Sequence, residues 1–408
     1  MNATEKKLEN TPENYRDWYR EGNILRDKGL YSEALACFDK AIEQNPEDYW
    51  SWYQRGIVLD EIGRHSEAVA SFDKALEIRP NDYWAYYQRA GALQHAARYA
   101  EAISSYNKAL EIRANDYWAY YQRGCVELYD LKQPEAALDS FDKATQVRKW
   151  DYWAWYRRGQ ALHELERNEE ALASFDKALE SWRRGEAIWY ERGQVLEKLG
   201  RYEEALISYE RALELRPERA DIWNQRGLLL GDMARYSEAL ASFEKVLELQ
   251  PDNPEALLEK AIALDELQRY SEAEATYEQL LAIKPDFAEA WYNRGITLGH
   301  LERYEQALAS YDQALKLQPN YPEAWNNKGI LLDTLGCYEE AVVSYDQALA
   351  LCSNYSRAWN NRGIALHKLG RYEAALSSYE QALQCTPDYP ADWTLTHRAL
   401  ALQNLGSY

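Results

Sequence analysis

The 408 residues exceed what one compact core usually covers, so the chain holds either several domains or a repeat array. Hydrophobic residues at 46% predict a folded chain, and charged residues at 28% predict a well-solvated surface. A net charge of −20, from 67 acidic and 47 basic residues, argues against nucleic acid as the main partner, because phosphate binding draws on clustered Lys and Arg. The five cysteines (37, 125, 337, 352 and 385) form no CxxC pair and read as reduced thiols of a cytoplasmic protein. No apolar run approaches membrane-spanning length.

In chain order, residues 1–14 are polar, have no apolar signal core and are expected to form a flexible lead-in. From Tyr15 a fixed period takes over. Trp18 and Trp52, Trp189 and Trp223, and Trp291, Trp325 and Trp359 all stand 34 residues apart. The same interval separates Phe38 from Phe72 and links Tyr311, Tyr345 and Tyr379. Such a period marks a stacked array. It divides the chain into eleven units: 15–48, 49–82, 83–116, 117–151, 152–185, 186–219, 220–253, 254–287, 288–321, 322–355 and 356–389. The fourth has one extra residue, between Gly124 and Pro134. Each unit reads as two short helices with a turn between them, as in AWYNRGITLGHLERY (290–304) and RYEEALISYERALELRP (201–217). Residues 390–408 read as one capping helix, with Trp393 at the repeating position.

The repeated positions have packing reasons. Position 8 is Gly in nine units and Ala at Ala90 and Ala261; position 20 is Ala in all eleven, from Ala34 to Ala375. Small residues there let helices approach, and the aromatic at position 24 (Phe72, Tyr209) fills the gap. Pro at position 32 in seven units, such as Pro46 and Pro319, stops the second helix.

This pattern of Trp, Gly, Ala, aromatic, Ala and Pro resembles the tetratricopeptide-repeat (TPR) family. Arg or Lys at position 7 in ten units (Arg55, Arg89, Lys260, Arg362 among them) is similar to the multi-TPR proteins common in bacteria, cyanobacteria especially. Unit 8 departs most, with Leu257 in place of the Trp and Leu280 in place of an Ala. The resemblance implies an all-α, right-handed superhelical solenoid of eleven helix-turn-helix units plus a C-terminal capping helix. It also implies that peptides or extended partner segments lie in a concave groove, contacted from positions 2, 5, 6, 9, 12 and 13 of each unit.

Those positions single out two regions. Units 2 to 5 open with DYWSWYQRG, DYWAYYQRG, DYWAYYQRG and DYWAWYRRG, which put Trp50, Trp84, Trp118 and Trp153 at position 2. Tyr53, Tyr87, Tyr121 and Tyr156 follow at position 5, three residues on and so on the same helical face. This Trp–Tyr ladder is expected to offer an apolar binding surface for proline-rich, aromatic or cationic segments. The bland alternative is that the rings stiffen the array. Units 9 to 11 put Asn293, Asn327 and Asn361 at position 6, and Asn326 and Asn360 at position 5. Amides donate and accept, so they suit the main chain of an extended peptide. The basic row at position 7 reads most simply as Arg stems packed over the helix, with heads paired to acids of a neighbouring unit.

No phosphate loop, HExxH or nucleophile elbow occurs. The six histidines stand in different units, none three or four residues from another, so no metal site, cofactor or catalytic residue is expected. The sequence therefore predicts a non-enzymatic, cytoplasmic protein–protein interaction scaffold with no nucleic-acid partner and no integral membrane segment. Alternatives are a substrate-presenting regulatory subunit of a separate enzyme, or a self-associating structural solenoid.

Overall fold

The computed structural model describes residues 13–385 and 392–406, without the side chains of 392 and 393. Most of the expected lead-in, the side chain of Trp393 and parts of the 390–408 segment lie outside the described residues. The described chain is all helical, in consecutive antiparallel pairs. It forms two compact units, one ending at Leu215 and one starting at Arg216. No helix among the described residues is long and apolar enough to cross a membrane.

The first unit pairs α1 (Tyr15–Asp27) with α2 (Tyr31–Gln44), α3 (Tyr49–Glu61) with α4 (His65–Ile78), and α5 (Tyr83–His95) with α6 (Tyr99–Ile112). It continues with α7 (Tyr117–Cys125) and α8 (Pro134–Val147), α9 (Tyr152–Glu164) and α10 (Asn168–Ser181), and α11 (Glu186–Lys198) and α12 (Tyr202–Leu215). The second unit holds α13 (Ala220–Asp232), α14 (Tyr236–Leu249), α15 (Pro254–Glu266), α16 (Tyr270–Ile283), α17 (Ala288–His300) and α18 (Tyr304–Leu317). Then follow α19 (Pro322–Thr334), α20 (Tyr338–Leu351), α21 (Ser356–Lys368), α22 (Tyr372–Gln384) and α23 (Asp392–Leu405). Within each unit a helix packs on the one before and the one after, as a stacked repeat requires. The last helix, α23, lies on α21 and α22, and its Ala401 is fully buried in the cluster around Tyr345 and Tyr379.

Each pair closes on a ring. A Cβ on Gly22, Gly56, Gly159, Gly193, Gly227, Gly295, Gly329 or Gly363 would meet the position-24 ring of the facing helix at 2.4–2.7 Å. Only hydrogen fits, and that permits the close approach. Ala34, Ala68, Ala102 and their equivalents through Ala375 are fully buried beside these rings. The helix-to-helix turn passes through a residue with positive φ in every pair: glycine at Gly29, Gly63, Gly200, Gly336 and Gly370, but Ala97, Lys132, Glu166, Ala234, Gln268 and Glu302 elsewhere.

The extra residue of the fourth pair is absorbed inside its first helix. After Cys125 the chain makes a π turn over Val126–Asp130, in which the Leu131 N–H reaches the Val126 carbonyl at 3.0 Å. An insertion in a packed helix is commonly taken up this way, because the extra residue bulges without breaking the helix.

Candidate functional site

In the first unit the DYW triplets divide their labour. The aspartates are N-caps: Asp48, Asp82 and Asp116 accept the N–H of Ser51, Ala85 and Ala119 at 2.8–2.9 Å, and Asp151 accepts that of Trp153 at 3.0 Å. Three of the tyrosines that follow, Tyr49, Tyr83 and Tyr117, are buried and face the cap of the next pair, while Tyr152 is half-buried. Tyr117 Oη donates to Asp151 Oδ1 at 2.8 Å, and the Tyr49 and Tyr83 phenols sit beside the Asp82 and Asp116 carboxylates. Burial and the neighbouring carboxylate hold all three phenols far above their ordinary pKa. These inter-repeat links were not singled out from the sequence, although DYW spells them.

The tryptophans stand outward. Trp50, Trp84, Trp118 and Trp153 are 45, 50, 45 and 42% exposed. The position-5 tyrosines do not share that exposure: Tyr53 and Tyr156 are buried, and Tyr87 and Tyr121 are half-buried. Tyr53, Tyr87 and Tyr121 meet their tryptophans edge-on (6.0, 6.2 and 6.1 Å) and lean on the core rings Phe72, Tyr106 and Phe141. The expected ladder of Trp–Tyr pairs is therefore a row of tryptophans on a tyrosine footing. The cationic partner is also internal in all four: Arg157 lies 5.9 Å from the Trp153 ring. Arg79, Arg113 and Arg148 lie 5.3, 5.4 and 5.5 Å from the Trp50, Trp84 and Trp118 rings and closer still to Tyr49, Tyr83 and Tyr117. In the next pair Trp182 takes the place of that arginine and stacks on Tyr152 at 5.4 Å, itself 44% exposed.

In the second unit the asparagines form a chain. Asn361 Nδ2 donates to Asn326 Oδ1 (3.2 Å), Asn326 Nδ2 to Asn327 Oδ1 (3.3 Å), and Asn327 Nδ2 to Tyr292 Oη (3.0 Å). Asn326 and Asn360 are buried, Asn293, Asn327 and Asn361 half-buried. A cavity of about 500 Å³ opens on this chain. Asn326, Asn327, Asn360 and Asn361 line it with Ile330 and Ile364, and Glu323 and Arg357 add opposite charges; Asn293 is not part of the lining. The Oδ1 of Asn360 is buried with no hydrogen-bond partner.

Family models agree with this architecture. Those for the tetratricopeptide repeat match residues 19–83, 71–104, 126–186, 156–220, 232–293, 288–321, 310–343 and 356–389, and one described as TPR repeat matches 334–370. Together they span well over half of the chain. The chain is a tetratricopeptide-repeat protein. Among solved structures, the C-terminal part of a TPR repeat-containing protein from Cytophaga hutchinsonii is 20% identical, with TM-score 0.51, over 58% of this chain and 97% of that one. YrrB, described as a TPR protein with an unusual peptide-binding site, is 28% identical, with TM-score 0.43, over 47% and 98%. Yeast Tom70 is 16% identical, with TM-score 0.41, over 96% of both chains. No curated protein matches.

The basic row of this TPR protein is structural, as the simpler reading had it. Arg55 Nε donates to Asp39 Oδ1 of the preceding pair at 2.7 Å and its Nη1 to Ser71 Oγ at 2.7 Å, while its guanidinium lies 5.8 Å from the Trp52 ring. Arg89, Arg158, Arg192 and Arg362 repeat the clamp, each on an acid 16 residues before and a serine 16 residues after.

Two features escaped the sequence reading. Beside the π turn, a second cavity of about 500 Å³ is lined by Tyr129, Gln160, His163, Glu164, Glu191 and others. Glu191 Oε1 accepts Tyr156 Oη (2.6 Å) and Gln160 Nε2 (2.7 Å), and burial pushes its carboxyl above the usual range despite those bonds. The one-residue insertion was the signal for it. The second concerns the histidines, expected to be dispersed. His65 and His95 meet, ring centroids 5.1 Å apart, on either side of Asp60.

Proposed function

We propose that this TPR protein is a non-catalytic scaffold that holds an extended segment of a partner protein, gripping its main chain in the amide-lined cavity between α17, α19 and α21. The observation that carries this reading is the Asn360 oxygen, buried and unpaired at that cavity. An unsatisfied buried acceptor costs about 1–3 kcal/mol, and an incoming peptide N–H would remove that cost. Four amides give alternating donors and acceptors along the lining, which suits a backbone whatever its side chains. Ile330 and Ile364 offer apolar area for one small side chain. The tryptophan row of the first unit is the second contact surface of the same scaffold.

Peptide display on the intact chain tests this. Peptides selected by the wild type are expected to lose about fivefold or more in affinity against N327A and N360A, each losing a hydrogen bond worth roughly 1 kcal/mol or more. Circular dichroism verifies the fold of both variants. Equal affinity for wild type and variants would remove the amide cavity from the binding site. Loss instead in a W50A/W84A/W118A/W153A variant would assign it to the first unit.

A further inference from the structure

Three junctions between consecutive helix pairs bring together the same three positions: an Asp near the end of a first helix, the first residue of the second helix, and the last residue of the next first helix. In the second unit these are Asp265, Tyr270 and His300, and again Asp333, Tyr338 and Lys368. At Asp333 the junction carries a fixed cation: Lys368 Nζ is 2.5 Å from Asp333 Oδ2 and 5.1 Å from the Tyr338 ring. At Asp265 the carboxylate accepts the hydroxyls of Tyr277 (3.0 Å) and Thr297 (2.8 Å), and His300 stacks on Tyr270 at 4.6 Å. In the first unit the trio is Asp60, His65 and His95. Among the described residues, the ion-pair partners of this carboxylate are the two histidines, with no lysine or arginine. His65 Nδ1 lies 2.7 Å from Asp60 Oδ1, and His95 Nδ1 lies 3.1 Å from both carboxylate oxygens. One ligand atom from each residue falls within 4.8 Å of the other two.

We propose that Asp60, His65 and His95 bind a divalent transition ion of the Zn²⁺, Co²⁺ or Ni²⁺ type. Two imidazoles and one carboxylate are the donor set such ions prefer, whereas Mg²⁺ and Ca²⁺ select oxygen. Three protein ligands leave a coordination position for water. The imidazole side chains are 30 and 56% exposed, so an ion can enter and the rings can turn to ligand distance. Each imidazole then binds through one nitrogen and keeps its proton on the other. The ion supplies the positive charge that Lys368 supplies at the equivalent junction. It ties α3, α4 and α5 together, and α3 and α5 carry Trp50 and Trp84. Metal occupancy therefore fixes the angle between two repeats of the tryptophan row.

The test uses the full, untagged chain, stripped with chelator and titrated with Co²⁺. One equivalent is expected to bind saturably, with visible absorption lacking thiolate charge transfer, and to raise the melting temperature. Two variants have precedents in the chain itself: H95K copies Lys368, and H65N copies Asn168, the first residue of α10. Each should weaken Co²⁺ binding at least about tenfold while circular dichroism is kept. Saturable binding unchanged in both variants would place the ion elsewhere, on the cysteines if thiolate absorption appears. Absence of saturable binding to the wild type would overturn the proposal and leave a carboxylate bonded to two imidazoles.

Discussion

A Cβ on Gly56 would lie 2.7 Å from Cε1 of Phe72, closer than two carbon atoms approach without displacement. Phe72 is 1% exposed and has nowhere to move. The substitution G56A should therefore lower stability by about 1–3 kcal/mol, the cost of overpacking a filled core. Gly91, also inside a helix, meets nothing within 4 Å. There the added methyl only restores helix propensity, so G91A should raise stability by roughly 0.5–1 kcal/mol. Urea unfolding of the two variants side by side measures the contrast. Equal effects of the same sign would remove the ring contact as the reason for the glycine.

The Gly–ring pairing was legible in the sequence because both residues recur at fixed positions and answer one another in size. The same holds for the helices, whose first residues stand at Tyr49, Tyr83, Tyr117 and Tyr152 in step with the period. What resisted reading was the direction of side chains that share a face. Tyr53 and Trp50 are three residues apart, yet one is buried and the other 45% exposed. Helical spacing places both on one side but does not say which ring reaches the facing helix. His65 and His95 were hidden for another reason. They come from different helices of adjacent repeats, so proximity along the chain could not show them; proximity in the repeat frame could.

The turn within each pair offers a second measurement. Ala97 has φ 57°, and its neighbour Arg98 N–H closes on the Leu93 carbonyl at 2.8 Å. Gly63 makes the same turn with φ 80°, and Arg64 N–H closes on Leu59 at 2.8 Å. The left-handed conformation costs an L-residue about 1–2 kcal/mol, against roughly 0.5–1 kcal/mol for the extra freedom glycine loses on folding. A97G should therefore stabilise by about 0.5 kcal/mol and G63A destabilise by about 1 kcal/mol. Thermal melts of both variants decide it, and a stabilising G63A would contradict the account.

The arginine clamp makes a graded prediction. Arg55 bonds Asp39 and Ser71 at once, while the lysines at this position manage one acid each: Lys328 on Asp312 at 2.6 Å and Lys260 near Glu244 at 3.6 Å. Asp39 is about half exposed, so solvent discounts its ion pair. R55A should cost about 1–2 kcal/mol, mostly through the buried Ser71 hydroxyl and the packed stem, and R55K should fall between. Raising the salt concentration should narrow the gap between R55K and R55A and leave most of the R55A loss in place, because screening acts on the exposed ion pair and not on the packing.

Glu191 ties stability to pH. Burial raises its carboxyl in the folded state, and the hydroxyl of Tyr156, the amide of Gln160 and the charge of Arg157 only partly oppose that. A raised acid holds its proton more tightly when folded than when unfolded, so the ionised form weighs against the fold. Below the unfolded pKa both states are protonated and that penalty is absent. As pH rises through the interval between the unfolded and the folded pKa, the penalty grows, and above the folded pKa it is complete. E191Q removes the titration and keeps an oxygen to accept Tyr156 Oη at 2.6 Å. The variant should therefore match or exceed the wild type at pH 7. It should lose ground steadily as the pH is lowered toward 4 and the wild-type carboxyl takes up its proton. Paired urea titrations at several pH values measure the difference directly, and any change common to both proteins cancels. A difference that stays flat from pH 7 to 4 would mean that the Glu191 carboxyl titrates alike in the folded and unfolded chain, and that the hydrogen bonds from Tyr156 and Gln160 fully offset its burial.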